Sequence, residues 1–211
     1  DKNGNFISPA EAIPILEESG LIIPVGKWII QNAFSMCTEC RKYYPEFRVS
    51  INLSYVQILK SPLMMKLKQI IDHSGISCSG IIVELTESGY LEGTPAVRSV
   101  WNDMKQLRIQ IALDDFGTGY SNLMNISNLE PDIVKLDRGF TLKSRSYEYQ
   151  LMQYVIEMVH KLNQYVCVEG VETKEDLEKI KALGPDLIQG YYYSKPCSRD
   201  EFLKKFFDYS E

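Results

Sequence analysis

IQIALDD, residues 109–115, is a short β-branched run that stops on two adjacent carboxylates. The same design recurs from residue 48 onward, in RVSINLS (48–54), GIIVELTE (80–87), PDIVKLD (131–137), QYVCVEG (164–170) and DLIQGYY (186–192). Between and after these runs the apolar residues take helical spacing, at 61–73, 94–107, 121–128, 147–162, 173–183 and 199–208, with Thr173 and Asp176 forming an N-cap pattern. That makes six strand–helix units. Two further helices are expected ahead of them, one with Ser8 as cap and Pro9 at its first position, closing near Gly20, and one from about Pro24 to Tyr44. The strands read as nearly continuously apolar, which means burial on both faces, as in a parallel sheet covered by helices. The choice lies between a doubly wound sheet and a (β/α)8 barrel. Such a barrel takes about 250 residues. Six units in 211 residues match a TIM-like barrel lacking its first two strands.

Composition narrows the functions. With 45% hydrophobic and 24% charged residues and no Pro/Gly/Ser-rich linker between residues 20 and 200, one globular domain over 1–211 is expected. The 23 Lys and Arg against 28 Asp and Glu leave a net charge of -5, which argues against duplex nucleic acid or an anionic membrane as partner. A bound anion would need its positive charge from elsewhere. The five cysteines, Cys37, Cys40, Cys78, Cys167 and Cys197, read as reduced thiols, because the one Cys-x-x-Cys pair has no second pair to complete a zinc site. The opening DKNGNF is polar, and the apolar stretch 21–30 is broken by Pro24, Gly26 and Lys27. Neither a leader nor a membrane span is read there, and the expected compartment is the cytoplasm.

The chemistry sits where each apolar run stops: at Asn52, Glu84, Asp114 and Asp115, Lys135 and Asp137, Glu169, and Gln189. In a barrel those strand ends converge on one face, where active sites of the fold lie. Glu84, Asp114, Asp115 and Glu169 brought within a few ångströms would repel one another unless divalent cations sat among them. The donors are carboxylates and an amide oxygen, without thiolate or imidazole, a set that favours Mg²⁺ or Mn²⁺ over Zn²⁺. Adjacent Asp114 and Asp115 suit a bridging arrangement, and two metals about 4 Å apart form a clamp for in-line attack of water on a phosphodiester. His73 and His160 fall inside expected helices, which leaves Lys135 and Glu169 to handle the water proton. The segment DDFGTGY (114–120) is a weak nucleotide fingerprint, with Asn122 where a third glycine belongs.

The stretches NFISPAEAIPILEESGLIIPVGKWII, SINLSYVQ, VELTES, IALDDFGTGYSNL, DIVKLDRGF, VCVEGVET and LIQGYYYSKP follow one another in the order and spacing of the EAL-domain cyclic-di-GMP phosphodiesterases, which the whole chain resembles. The resemblance implies a (β/α)8-like barrel with one antiparallel strand, and hydrolysis of cyclic di-GMP to linear pGpG with Mg²⁺ or Mn²⁺. It assigns Asn52, Glu84, Asp114 and Asp115 as metal ligands. Lys135 and Glu169 would order and activate the attacking water, with Glu169 also touching a metal. Glu172 and Gln189 would line the pocket, and Glu87 would hold the loop after Asp115, which the family also uses in dimer contacts. A homodimer and an upstream sensory or cyclase domain are the partners implied. The Glu-Ala-Leu segment that names the family, with its metal-binding Glu and phosphate-gripping Arg, is not among the 211 residues; Ala10-Glu11-Ala12 lies in the helix that the resemblance places downstream. That gap keeps an alternative open, a degenerate EAL domain that binds cyclic di-GMP or a protein partner without hydrolysis. A barrel glycosidase using Glu84 and Glu169 as its acid pair leaves Asp114, Asp115 and Lys135 without roles.

Overall fold

The computed structural model describes residues 7–86, 94–117, 126, 129–142 and 146–207. Two compact units emerge: Asp1–Ile81 with Glu92–Ile109, and Ile82–Leu91 with Gln110–Glu211.

The first unit holds helices α1 (Pro9–Ser19), α2 (Ile22–Cys40), α3 (Tyr55–Lys60), α4 (Leu63–Ser74) and α5 (Pro95–Gln106), and strand β1 (Val49–Asn52). Helix α1 begins and ends where the sequence expects. Ser8 Oγ accepts the Glu11 N–H at 3.3 Å while Glu11 Oε2 accepts the Ser8 N–H at 3.2 Å, a reciprocal cap, and Gly20 closes the helix at φ 74°. Helix α3 falls between the run 48–54 and the helix expected at 61–73, where the sequence pattern assigns no element. Its six residues are too few to show a helical period, and the reciprocal cap of Ser54 and Gln57 starts it. The core of this unit is built from Phe34, Cys37 and Cys40 of α2, Leu67 and Ile70 of α4, and Trp101 and Met104 of α5, all buried. Each fully buried side chain of this size contributes about 1.5–3 kcal/mol.

The second unit carries strands β2 (Ile81–Thr86), β3 (Gln110–Phe116), β4 (Ile133–Leu136), β5 (Tyr165–Val168) and β6 (Leu187–Ile188), hydrogen-bonded in that order and all parallel. Helices α6 (Arg138–Leu142), α7 (Ser146–Lys161), α8 (Lys174–Ala182) and α9 (Arg199–Phe207) alternate with them. Thr173 and Asp176 cap α8 reciprocally, as their spacing predicts. The sixth run ends early, at Ile188. Beyond it Gly190 lies against the Val171 backbone too closely for any side chain, and the Tyr193 N–H donates to the Gly190 carbonyl at 3.1 Å, so the chain turns there. The expected helix at 121–128 lies outside the described residues except for Ile126, and so does Glu87. All five cysteines are free thiols. Among the described residues no helix is long and apolar enough to cross a membrane.

Candidate active site

The alternation of the parallel strands sorts the second unit's side chains into two layers. Ile82, Ala112, Ile133, Cys167 and Leu187 pack together as an apolar floor. Two residues further along each strand, on the same face by the two-residue period, stand Glu84, Asp114, Lys135, Glu169 and Gln189. Polar strand ends therefore rise directly from an apolar base.

Lys135 organises this layer. Its Nζ donates to Glu84 Oε2 at 2.7 Å and lies 2.7 Å from Glu169 Oε1 and 3.0 Å from Asp114 Oδ1. The side chains of Lys135, Glu84, Asp114 and Glu169 are only 5%, 9%, 13% and 20% exposed, so their charges interact through a medium of low polarity. One ammonium faces three carboxylates. Burial works against the charge on Lys135, but Glu84 and Asp114, and then the bonds to Glu169 and Glu84, outweigh it and hold the pKa above the ordinary lysine value. Burial pushes the Glu169 carboxyl up; the bond from Lys135 pulls it back, and Asp114 and Glu84 push it up again. The same ion pair thus favours the charged lysine and still leaves the glutamate short of compensation. The reason is that the ammonium satisfies its own charge three times over while each acid receives only a share. Lys135 is charged at neutral pH. Burial also pushes the thiol of Cys167, in the floor beneath, up to about 12, so it fills space as a neutral group.

Asp115 departs from regular strand geometry. Its φ is 58°, and the β3–β4 register shifts between Leu113 and Phe116, so the strand bulges where the two aspartates meet. The Asp115 N–H donates to Asp114 Oδ1 at 3.0 Å. Burial raises the Asp115 carboxyl, and the neighbouring charges of Asp114 and Asp137 raise it further. Gln189 follows β6 as an exposed residue, its backbone N–H bonded to the Val168 carbonyl at 2.9 Å, and Glu172 is exposed in the loop after β5. Asn52 ends β1 in the first unit and is exposed.

Among the described residues no three His, Cys, Asp or Glu side chains form a ready cage for an ion. The point on which Glu84, Asp114 and Glu169 converge is taken by the Lys135 ammonium. The donor chemistry still fits a hard divalent cation. Every donor is an oxygen, and desolvation together with the neighbouring acids raises the carboxyls of Glu169 and Asp115, an effect that a divalent cation would offset.

The family model described as EAL domain matches residues 1–196. The chain belongs to the EAL-domain family. Cyclic di-GMP phosphodiesterase PdeR of Escherichia coli is 33% identical over 193 residues, covering 90% of this chain and 29% of PdeR. Cyclic di-GMP phosphodiesterase PdeF of the same organism is 30% identical over 197 residues, covering 92% of this chain and 26% of PdeF. The chain spans about a quarter of the length of these curated relatives. Among solved structures, the PaMucR phosphodiesterase in its c-di-GMP complex aligns with a TM-score of 0.88 and 26% identity over 96% of this chain and 83% of that one. The fold is therefore the expected α/β TIM-like barrel of EAL type, with six of its strands in this chain.

Two residues that shape this part of the EAL domain carry little signal in sequence. Asp137 stands out only as a strand end, yet its Oδ1 accepts the Gly139 N–H at 2.7 Å and so caps α6. Thr141 is one hydroxyl in a five-residue helix that no periodicity reveals. It is buried, and it donates to the Glu169 carbonyl at 2.6 Å.

Proposed function

We propose that this EAL domain is a metal-dependent phosphodiesterase that hydrolyses cyclic di-GMP to linear pGpG. One observation carries the reading: Lys135 gathers Glu84, Asp114 and Glu169 at the strand ends, in a chain whose family includes PdeF and PdeR. On this reading Glu84, Asp114, Asp115 and Glu169 hold two Mg²⁺ or Mn²⁺ ions, and Asn52 joins them on the strength of the sequence alone. Such ions, when bound, lower the pKa of a coordinated water and offset the charge of the phosphodiester. Glu169 accepts the water proton; its carboxyl, raised by burial, is a stronger base than an exposed glutamate. The water oxygen attacks phosphorus as the bond to one ribose 3′ oxygen breaks, and that oxygen takes up a proton from solvent to leave as the 3′-hydroxyl of pGpG. Lys135 has three N–H donors and three carboxylate neighbours, so it orders the water only after one acid lets go. Gln189 and Glu172 contact the nucleotide, and Glu87 holds the loop after Asp115. The protein works as a homodimer in the cytoplasm, downstream of a sensory or cyclase domain.

Glu169→Gln and Asp114→Ala are expected to abolish pGpG release in the presence of Mn²⁺ while leaving the circular dichroism of the fold intact; near-normal turnover in either variant overturns the assignment. A second reading is favoured by the Lys135 ammonium standing where the carboxylates converge. In it, the domain binds cyclic di-GMP or a protein partner without hydrolysis. Saturable binding with no product in Mn²⁺ or Mg²⁺ supports that reading, and metal-dependent product release removes it.

A further inference from the structure

Helix α6 links three neighbouring strand ends. It leaves β4 immediately after Lys135-Leu136-Asp137, and its residues press on the loops that follow β3 and β5. A side chain on Gly117, at φ 102°, would strike the Phe140 ring, and one on Gly170, at φ 73°, would come 3.0 Å from the Arg138 Cα. The two glycines directly follow the acid-bearing ends of β3 and β5, and both give way to α6.

Glu169 is tied to this same short segment at three atoms. Its backbone N–H donates to the Leu136 carbonyl at 3.1 Å, its carboxylate Oε1 lies 2.7 Å from Lys135 Nζ, and its backbone carbonyl accepts the Thr141 hydroxyl at 2.6 Å. The first tie is an ordinary sheet bond and the second belongs to the acid cluster. The third extends past the last residue of β5, Val168, where the sheet ladder no longer holds the peptide. Thr141 is 5% exposed, so no water competes freely for that carbonyl.

We infer that Thr141 is a positioning residue for Glu169. Its hydroxyl pins the peptide from which the Glu169 side chain departs, and this sets where the carboxylate meets Lys135. A carboxylate that must take a proton from a placed water tolerates little displacement, since a misplacement of about 1 Å costs on the order of a hundredfold in rate. The kinetic consequence rests on the phosphodiesterase reading above; the geometric one does not.

Thr141→Val keeps the shape of the side chain and deletes the donor, while Thr141→Ser keeps the donor and deletes a methyl group. Assayed well below its unfolding midpoint with Mn²⁺ and cyclic di-GMP, Thr141→Val is expected to lower kcat about tenfold or more at an unchanged KM, and Thr141→Ser to restore it. Wild-type kcat in Thr141→Val overturns the inference, as does an equal loss in both variants. Glu169→Gln, run alongside, separates the two claims: turnover surviving in that variant removes the phosphodiesterase reading, whatever Thr141 does. The ¹⁵N resonance of the buried Lys135 ammonium reads the same geometry without turnover. It is expected to shift in Thr141→Val and return in Thr141→Ser, and an unmoved resonance in Thr141→Val overturns the inference for a chain that does not hydrolyse the nucleotide.

Discussion

A lysine surrounded by three acids behaves differently from a salt bridge on a surface. Removing Lys135 would take the ammonium away from two buried carboxylates, Glu84 and Asp114, and from the half-buried Glu169, a loss of the kind that costs about 3–5 kcal/mol. The pH dependence follows from the sign. Without the ammonium the Glu169 carboxyl, already raised by burial, rises further, and stability is lost as pH climbs through that raised value. Lys135→Met is therefore expected to unfold at much lower urea than the wild type at pH 8, with the gap narrowing toward pH 4. Glu169 lies on the other side of the same balance. Its carboxyl is raised by burial, so the charged form opposes folding above the ordinary glutamate range. Glu169→Gln is expected to lose activity yet equal or exceed the wild-type thermal midpoint at pH 8, with the difference vanishing below pH 4, where both side chains are neutral.

Strand order at the element scale is held by a repeated device at the opposite ends of the strands. The dipeptide Pro-Asp precedes β4 as Pro131-Asp132 and β6 as Pro185-Asp186. Asp132 Oδ2 accepts the Ile111 N–H of β3 at 2.8 Å, and Asp186 Oδ2 accepts the Val166 N–H of β5 at 2.8 Å. Each carboxylate thus extends the sheet ladder sideways by one bond, and the Asp186 oxygen also meets His160 Nε2 at 2.9 Å at the end of α7. Ile111 is fully buried, so its amide cannot turn to water instead. Asp132→Ala is expected to cost about 1–3 kcal/mol in urea unfolding, the penalty of a buried donor without an acceptor, and Asp132→Asn to recover most of it by keeping a carbonyl oxygen in place.

Charge dominates the behaviour of the whole chain. At a net charge of -5, with acids in excess at the strand ends, the domain cannot attract a dianionic dinucleotide by its own field. Cyclic di-GMP is expected to bind only with a divalent cation present, and EDTA to abolish the binding. In calorimetry with Mn²⁺, ligand at a hundredfold excess over Kd should stabilise the fold by about 2.7 kcal/mol, with no shift when either component is omitted. A shift without the metal would mean that Lys135 alone recruits the phosphate.

The amino-acid sequence by itself determined the strand–helix alternation, the capping of α1 and α8, and the polar residue at the end of each strand. These rest on local rules, namely a two-residue or 3.6-residue period and a cap within three positions, and such rules leave their mark on neighbouring letters. The family was legible as well, because its motifs are contiguous. The acids of the candidate site were legible as a set, since each ends its own strand. Their arrangement around Lys135 was not, because the contacts to Glu84 and Glu169 span about fifty and thirty residues of chain. The fold puts the Lys135 ammonium at the meeting point of Glu84, Asp114 and Glu169. The short helices α3 and α6 also escaped, being fewer than two turns long, and with α6 went Thr141. Only the packing of one strand end against the next gives that hydroxyl a carbonyl to hold.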